Sequence, residues 1–324
     1  MSCGFRKRMC AALTALLCFA APAFGQEYPA RPVKLLVGFQ AGGTPDFVAR
    51  LVGEQLAQSL KQPFVVENRV GASGTLAAAA GAKAPADGYT LSIIEAGQLA
   101  ITPLMVKVPY DPIKDFLPIA LLARNPMFLV VSAGTGFKEV RDLVRAAKAA
   151  PGKINYGSIG VGSIVHLGAE VFRHHAGIEL THIPYQGAPQ IIPALAENQI
   201  QTIITSAPVW AAQARAGKIT PLAVMMRSRH PKYPDVPAIV EIYPEHEEIV
   251  SEIGLMAPAG TPAEILQKLA KASRSALDDP EVRAKLDKIG FIPSWSTPQE
   301  YAGSLRQGLK TYERAIKIAN VKPE

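Results

Sequence analysis

The chain has 324 residues, 48% of them hydrophobic and 19% charged, with three cysteines and a formal net charge of +7. That length accommodates two domains, each able to bury its own core. The balanced composition excludes collagen-like, disulfide-rich and disordered classes. The basic balance raises nucleic-acid binding and the cysteines raise redox chemistry, so the positions of both decide what they mean.

The N-terminus runs Met1-Ser2-Cys3-Gly4-Phe5-Arg6-Lys7-Arg8, then apolar from Met9 to Ala21, then Pro22-Ala23-Phe24-Gly25. A basic start, a short apolar stretch and small residues at −3 and −1 predict a secretory signal peptide, residues 1–25, cleaved after Gly25. The apolar run is too short to span a bilayer, which takes about 20 residues. Cys3, Cys10 and Cys18 all lie in this segment, so the expected mature chain has no thiol chemistry and no disulfide. Arg6, Lys7 and Arg8 leave with it. The 34 basic residues fall by three to 31 against 27 acidic ones, a net +4 on 299 residues. The remaining Lys and Arg are scattered and aromatics are only 7%, which argues against a nucleic-acid partner.

In the mature chain, Val33–Val37, Phe64–Val66 and Tyr89–Ile94 read as buried strands, with helical patterns over Asp46–Leu60 and Thr75–Ala84 between them. A second set begins near Phe128–Val131. It continues through Ile154–Tyr156, Thr181–Ile183, Gln201–Ile204 and Leu222–Val224. This alternation predicts two α/β units in series, each a parallel sheet covered on both faces. The C-terminal third reads as mostly helical. Thr261-Pro262-Ala263-Glu264 and Thr297-Pro298-Gln299-Glu300 predict capping boxes with proline at the first helical position, and Asp279-Pro280 predicts a third helix start.

Two loops follow strands and open helices. The first is Gly38-Phe39-Gln40-Ala41-Gly42-Gly43-Thr44-Pro45-Asp46. The second is Tyr156-Gly157-Ser158-Ile159-Gly160-Val161-Gly162-Ser163, ahead of His166. Glycines let backbone N–H groups approach a ligand, and a helix N-terminus carries partial positive charge, so each loop is a candidate anion cradle. One in each unit points to a cleft between domains. Enzyme signatures fail: Gly160-Val161-Gly162 is followed by Ser163-Ile164-Val165 rather than a dinucleotide fingerprint, no Gly-Lys-Ser/Thr occurs, and Tyr156-Gly157-Ser158-Ile159-Gly160 misses the hydrolase elbow. His174-His175 point to different helix faces and make a poor metal pair. His166 and Glu170 read as a helix-surface pair, and His182 as a hydrogen-bonded core histidine. No catalytic residue, metal or cofactor is expected.

An ordered series of short motifs runs from Tyr28 to about Ala319. It begins with Tyr28-Pro29-x-Arg31-Pro32, Gly42-Gly43-x-x-Asp46, Val65-Val66-Glu67-Asn68-Arg69-x-Gly71-Ala72 and Ala86-Asp87-Gly88-Tyr89-Thr90-Leu91. It continues with Pro109-Tyr110-Asp111-Pro112, Lys114-Asp115-Phe116, Tyr156-Gly157-Ser158-x-Gly160-x-Gly162-Ser163 and His182-Ile183-Pro184-Tyr185-x-Gly187. Pro234-Asp235-Val236-Pro237 and Ala257-Pro258-Ala259-Gly260-Thr261-Pro262 close it. In this order and spacing the series resembles the tripartite tricarboxylate transporter receptor (Bug-type) family of periplasmic solute-binding proteins.

The resemblance implies an α/β, type II periplasmic-binding-protein-like fold: two α/β domains, a cleft between them and two crossover segments. Domain 1 would comprise 26–124 plus 251–324 and domain 2 residues 125–250. It implies a periplasmic receptor that captures a small organic carboxylate by domain closure, as a monomer, and delivers it to the permease of a tripartite tricarboxylate transporter. Phe39, Ala41, Gly42, Gly43, Thr44 and Asp46 would line one wall of the site. Ser158, Gly160, Gly162, Ser163 and His166 would form the other, with Tyr185 and Gly187 beside them. Asp46 repels an anion, so helix capping or holding a donor group is its expected role. Two departures bear on the ligand. Thr102-Pro103-Leu104-Met105 replaces an Asn-Pro-x-Leu-Tyr stretch, and Thr205 stands where an Asp is common. Losing that carboxylate favours a simple acid over an amino acid, while Glu95 restores negative charge nearby. The rival readings are a secreted serine hydrolase using Ser163 and His166, which lacks an evident orienting acid, and a ligand-sensing subunit of a signalling system.

Overall fold

The unbroken apolar run Val33–Val37 forms β1, buried at four of its five positions and flanked on both sides by parallel strands. The computed structural model describes residues 27–185 and 188–320. The expected signal peptide and Gly187 lie outside the described residues. β2 (Phe64–Asn68) and β3 (Thr90–Glu95) are the parallel neighbours of β1, α1 (Thr44–Leu60) and α2 (Thr75–Ala82) make the crossovers, and the one-turn α3 (Thr102–Met105) follows β3. Val48, Leu51, Val52 and Leu56 recur at helical spacing along α1 and are buried in the core with β1.

The next strand, β4 (Phe116–Ser132), is 17 residues long and belongs to two sheets. Its first part, Phe116–Pro126, pairs antiparallel with β9 (Val250–Pro258), which in turn pairs antiparallel with β3. Its second part, Met127–Ser132, pairs antiparallel with β7 (Thr202–Ser206) and β8 (Ile219–Val224). β5 (Asn155–Ser158) lies parallel to both β6 (Thr181–Pro184) and β7. The second sheet is covered by α4 (Val140–Ala149), α5 (Ile164–Ala176), α6 (Ala188–Ala196) and α7 (Ala207–Arg215). After β9 the chain adds α8 (Ala263–Asp278), α9 (Pro280–Lys288), the two-residue β10 (Ile292–Pro293) on β4, and α10 (Pro298–Ala319). α8 packs on α1 in the first core. α10 packs on β4 and reaches α5, where Tyr312 and Ile316 join an apolar cluster with Leu167. The architecture is two α/β domains.

Several expectations need correction. The sheets are mixed rather than parallel: β1 runs parallel to β2 and β3, and β5 to β6 and β7, but the pairs made by β4 and β9, within the second unit as well as between the units, are antiparallel. Neither the first part of β4 nor β9 stands out in the sequence. Pro118 and Pro126 interrupt the first, since proline removes a ladder donor, and register shifts beside Pro118 and Leu121 accommodate the strand. Thr297 does form its capping box with Glu300, and Asp279 caps α9. Thr261 does not cap: α8 starts at Ala263, and the Thr261 hydroxyl donates to the Pro258 carbonyl (2.8 Å).

Gly254 on β9 shows how closely α10 sits on the shared strands. A Cβ at this position would collide with the ring and hydroxyl of the fully buried Tyr301. Gly254→Ala is expected to destabilise by about 1–3 kcal/mol through overpacking, read as a lower urea midpoint at unchanged slope. An unchanged midpoint would contradict this packing.

Candidate functional site

A cavity of about 860 Å³ lies between the two sheets. Four helix starts border it: Gly43-Thr44-Pro45 of α1, Ala72, Ser73 and Thr75 at α2, Gly162-Ser163-Ile164 of α5, and Ser206 ahead of α7. Each lies beyond the C-terminal end of a strand, where open α/β sheets bind ligands. No side chain caps α1, α2 or α7, which leaves first-turn N–H groups for a ligand or water, although the Thr75 N–H of α2 already donates to the Ala72 carbonyl. Only α5 is capped, by the Ser163 hydroxyl accepting from the His166 N–H (3.2 Å). Phe39, Ile101, Met105, Met127, Ile159, Val161 and Ile203 supply apolar wall, and Glu95, Gln98, Lys107, Asn125, Thr205 and Ser251 supply polar groups. Ile159 and Val161 are large apolar residues exposed in the loop ahead of α5.

Of the residues expected in the site, Phe39, Gly43, Thr44, Gly162, Ser163 and Thr205 border the cavity; Ala41, Gly42, Asp46, Ser158, Gly160, His166 and Tyr185 stand behind or beside it. Asp46 is buried. Its carboxylate accepts from the Gly42 N–H (2.9 Å), from Arg50 (2.9 and 3.0 Å) and from Asn68 Nδ2 (2.8 Å). Asn68 also donates to the Phe39 carbonyl (2.9 Å). Burial alone would raise the Asp46 pKa, but the hydrogen bonds from Arg50, Gly42 and Asn68 hold it below the ordinary value. Asp46 therefore braces the first loop from behind. Gly42 sits at φ +81°, which favours glycine.

The second loop is braced from within. The Ser158 hydroxyl meets His182 Nε2 (2.7 Å) and both backbone groups of Gly160 (3.1 Å each). The Ser163 hydroxyl donates to the Gly160 carbonyl (2.7 Å). His166 Nδ1 accepts from the Gly162 N–H (3.2 Å), and its ring lies 4.5 Å from that of His182. Tyr185 joins this loop through its N–H, which donates to the Ser158 carbonyl (2.8 Å). His166 and Glu170 are not a surface pair: both are buried, and Glu170 accepts from the Tyr156 hydroxyl (2.6 Å) and from Arg173 (2.8 and 3.1 Å). The Ser163 hydroxyl is committed to capping and the His166 ring to Gly162, so the two do not form a nucleophile–base pair. Among the described residues no group of three or more His, Cys, Asp or Glu could hold a metal.

Sequence reading missed the walls made by α2, by the π-helical turn Gly97–Ile101 and by Ser206, together with Asn125 and Ser251 on the shared strands. The ends of β3 and β7 marked the places, but neither is followed by a glycine-rich loop.

The family described as tripartite tricarboxylate transporter family receptor matches residues 48–321. The chain belongs to this family. Among its relatives, BugT of Bordetella pertussis is 31% identical over 307 residues, covering 94% of each chain. The structure of R. palustris Rpa4515 with adipate superposes with a TM-score of 0.82 at 35% identity, covering 92% of this chain and all of that one. MatC from Rhodopseudomonas palustris, with bound malate, gives 0.75 at 30% identity, covering 89% and 100%. The family is one of periplasmic solute-binding receptors, not of enzymes.

His166 offers a check on the second loop. Burial, and then the neighbouring His182, lower its pKa to about 4 from the ordinary 6.5. Between those values the unfolded chain binds a proton that the folded chain refuses. Its contribution is therefore present above pH 6.5 and is lost as the pH falls toward 4. His166→Gln should make the slope of unfolding free energy against pH shallower in that window; an unchanged slope would mean that the ring is not buried neutral.

Proposed function

We propose that this protein is a periplasmic receptor that binds a small organic carboxylate in the cavity between its two domains and delivers it, as a monomer, to the membrane permease of a tripartite tricarboxylate transporter. The observation that carries the reading is the convergence of four helix N-termini, two from each domain, on one cavity. Such an array holds a carboxylate through N–H groups and bridging water, and related chains of the family are bound to adipate and malate. The protein needs no cofactor. Residues 1–25 act as its export signal. The domains are 26–124 plus 251–324 and 125–250, and closure over the ligand presents the surface that the permease reads.

In this reading Phe39, Gly43, Thr44, Gly162, Ser163 and Thr205 meet the ligand. Ala41, Gly42, Asp46, Ser158, Gly160 and His166 shape the two loops, and Tyr185 flanks the second. A ligand present at 100 times its dissociation constant adds about 2.7 kcal/mol of stability. A thermal-shift screen of residues 26–324 against mono-, di- and amino-carboxylates should therefore raise the midpoint for one class; no shift with any of them would count against a carboxylate receptor. Gly162 sits at φ +75°, and a Cβ there would lie 3.3 Å from Met105 Cε on the opposite domain. Gly162→Val is expected to weaken binding at least tenfold by blocking backbone approach. Unchanged affinity would remove this loop from the site.

A further inference from the structure

The cavity has an acceptor-rich floor as well as its donor-rich helix ends. Three polar residues from adjacent strands form it: Glu95 at the end of β3, Ser251 on β9 and Asn125 on β4, with Asn125 and Ser251 directly paired in register. The Ser251 hydroxyl donates to Glu95 Oε1 (2.5 Å). The nearby Gln98, a possible donor, is already used: its Oε1 accepts from the Glu95 N–H (2.9 Å) and its Nε2 donates to the Gly74 carbonyl (2.8 Å). Glu95 Oε2 is thus left without a protein partner and Glu95 has no ion pair among the described residues. Asn125 is 96% buried (4% exposed), and its Oδ1 has no hydrogen-bond partner although the residue borders the cavity.

A buried acceptor without a donor costs about 1–3 kcal/mol, and more when it is charged. We infer that the Glu95–Ser251–Asn125 floor is a subsite for the ammonium group of the ligand, so that the receptor selects an α-amino carboxylate over its des-amino twin. The inference rests on the receptor reading and names its ligand class. An ammonium offers three N–H donors and a positive charge, enough to satisfy Glu95 Oε2 and Asn125 Oδ1 together and to neutralise the carboxylate. A hydroxyl offers one donor and no charge. A second ligand carboxylate would face two acceptors. Burial already raises the Glu95 pKa against the lowering effect of the Ser251 hydroxyl, as for a carboxylate short of a counter-charge. The Thr205 position, where the sequence suggested that amino-acid binding was lost, lies on a different strand of the same cavity, so Glu95 supplies the negative charge from the opposite domain.

The test is calorimetric titration of the mature protein with matched pairs: aspartate and succinate, glutamate and glutarate, leucine and 4-methylpentanoate, phenylalanine and 3-phenylpropanoate. In at least one pair the amino acid is expected to bind at least tenfold tighter than its twin. Glu95→Gln, which keeps the shape and removes the charge, should bring that ratio below threefold, and Asn125→Ala should lower it by a smaller factor. Tighter binding of the des-amino acids throughout, or a ratio unmoved in a folded Glu95→Gln protein, would overturn the subsite while leaving a carboxylate receptor standing. Failure of both members of every pair to bind would overturn the subsite and the receptor reading together.

Discussion

The antiparallel ladder between β4 and β9, Phe116–Pro126 against Pro258–Val250, carries both passages of the chain between domains. Strand alternation gives this ladder two faces. Asn125 and Ser251 border the cavity between the sheets. Arg124, Val250 and Glu252 border a second hollow of about 350 Å³ on the other side, where Arg124 pairs with Glu248 (3.3 Å) and Glu252 (3.6 Å). The fully buried Tyr301 of α10 packs against β9 at Gly254 and ties the C-terminal helix to this shared element.

Around that pair the site is built largely from backbone. Uncapped helix ends present N–H groups from both domains, and buried networks hold the loops that carry them: Asp46 with Arg50 and Asn68 behind the first, Ser158 with His182 and Gly160 behind the second. A bare carboxylate at a helix N-terminus would repel an anion. Asp46 already accepts four hydrogen bonds, so it acts on the loop rather than on the ligand.

Much of this was legible from residue order. The apolar run of β1 and the glycine loops before α1 and α5 marked the two α/β units and one helix start from each. What stayed hidden has local causes. Pro118 and Pro126 interrupt the strand pattern in the first part of β4, and Thr261 mimicked the cap of a helix whose N-cap is Pro262, without any side-chain cap. His166 and Glu170 have helical surface spacing, but Tyr156 and Arg173, distant or unremarkable in sequence, close over Glu170. Asn125 and Ser251 meet only through strand register across 126 residues of chain, which no local pattern encodes.

Amide hydrogen exchange with and without a bound carboxylate tests most directly whether one ligand is held by both domains. The account predicts slowed exchange at the first turns of α1 and α5 together, at Thr44 and Asp46 and at Gly162 to Val165. Protection confined to one domain, or found only away from these helix ends, would contradict it.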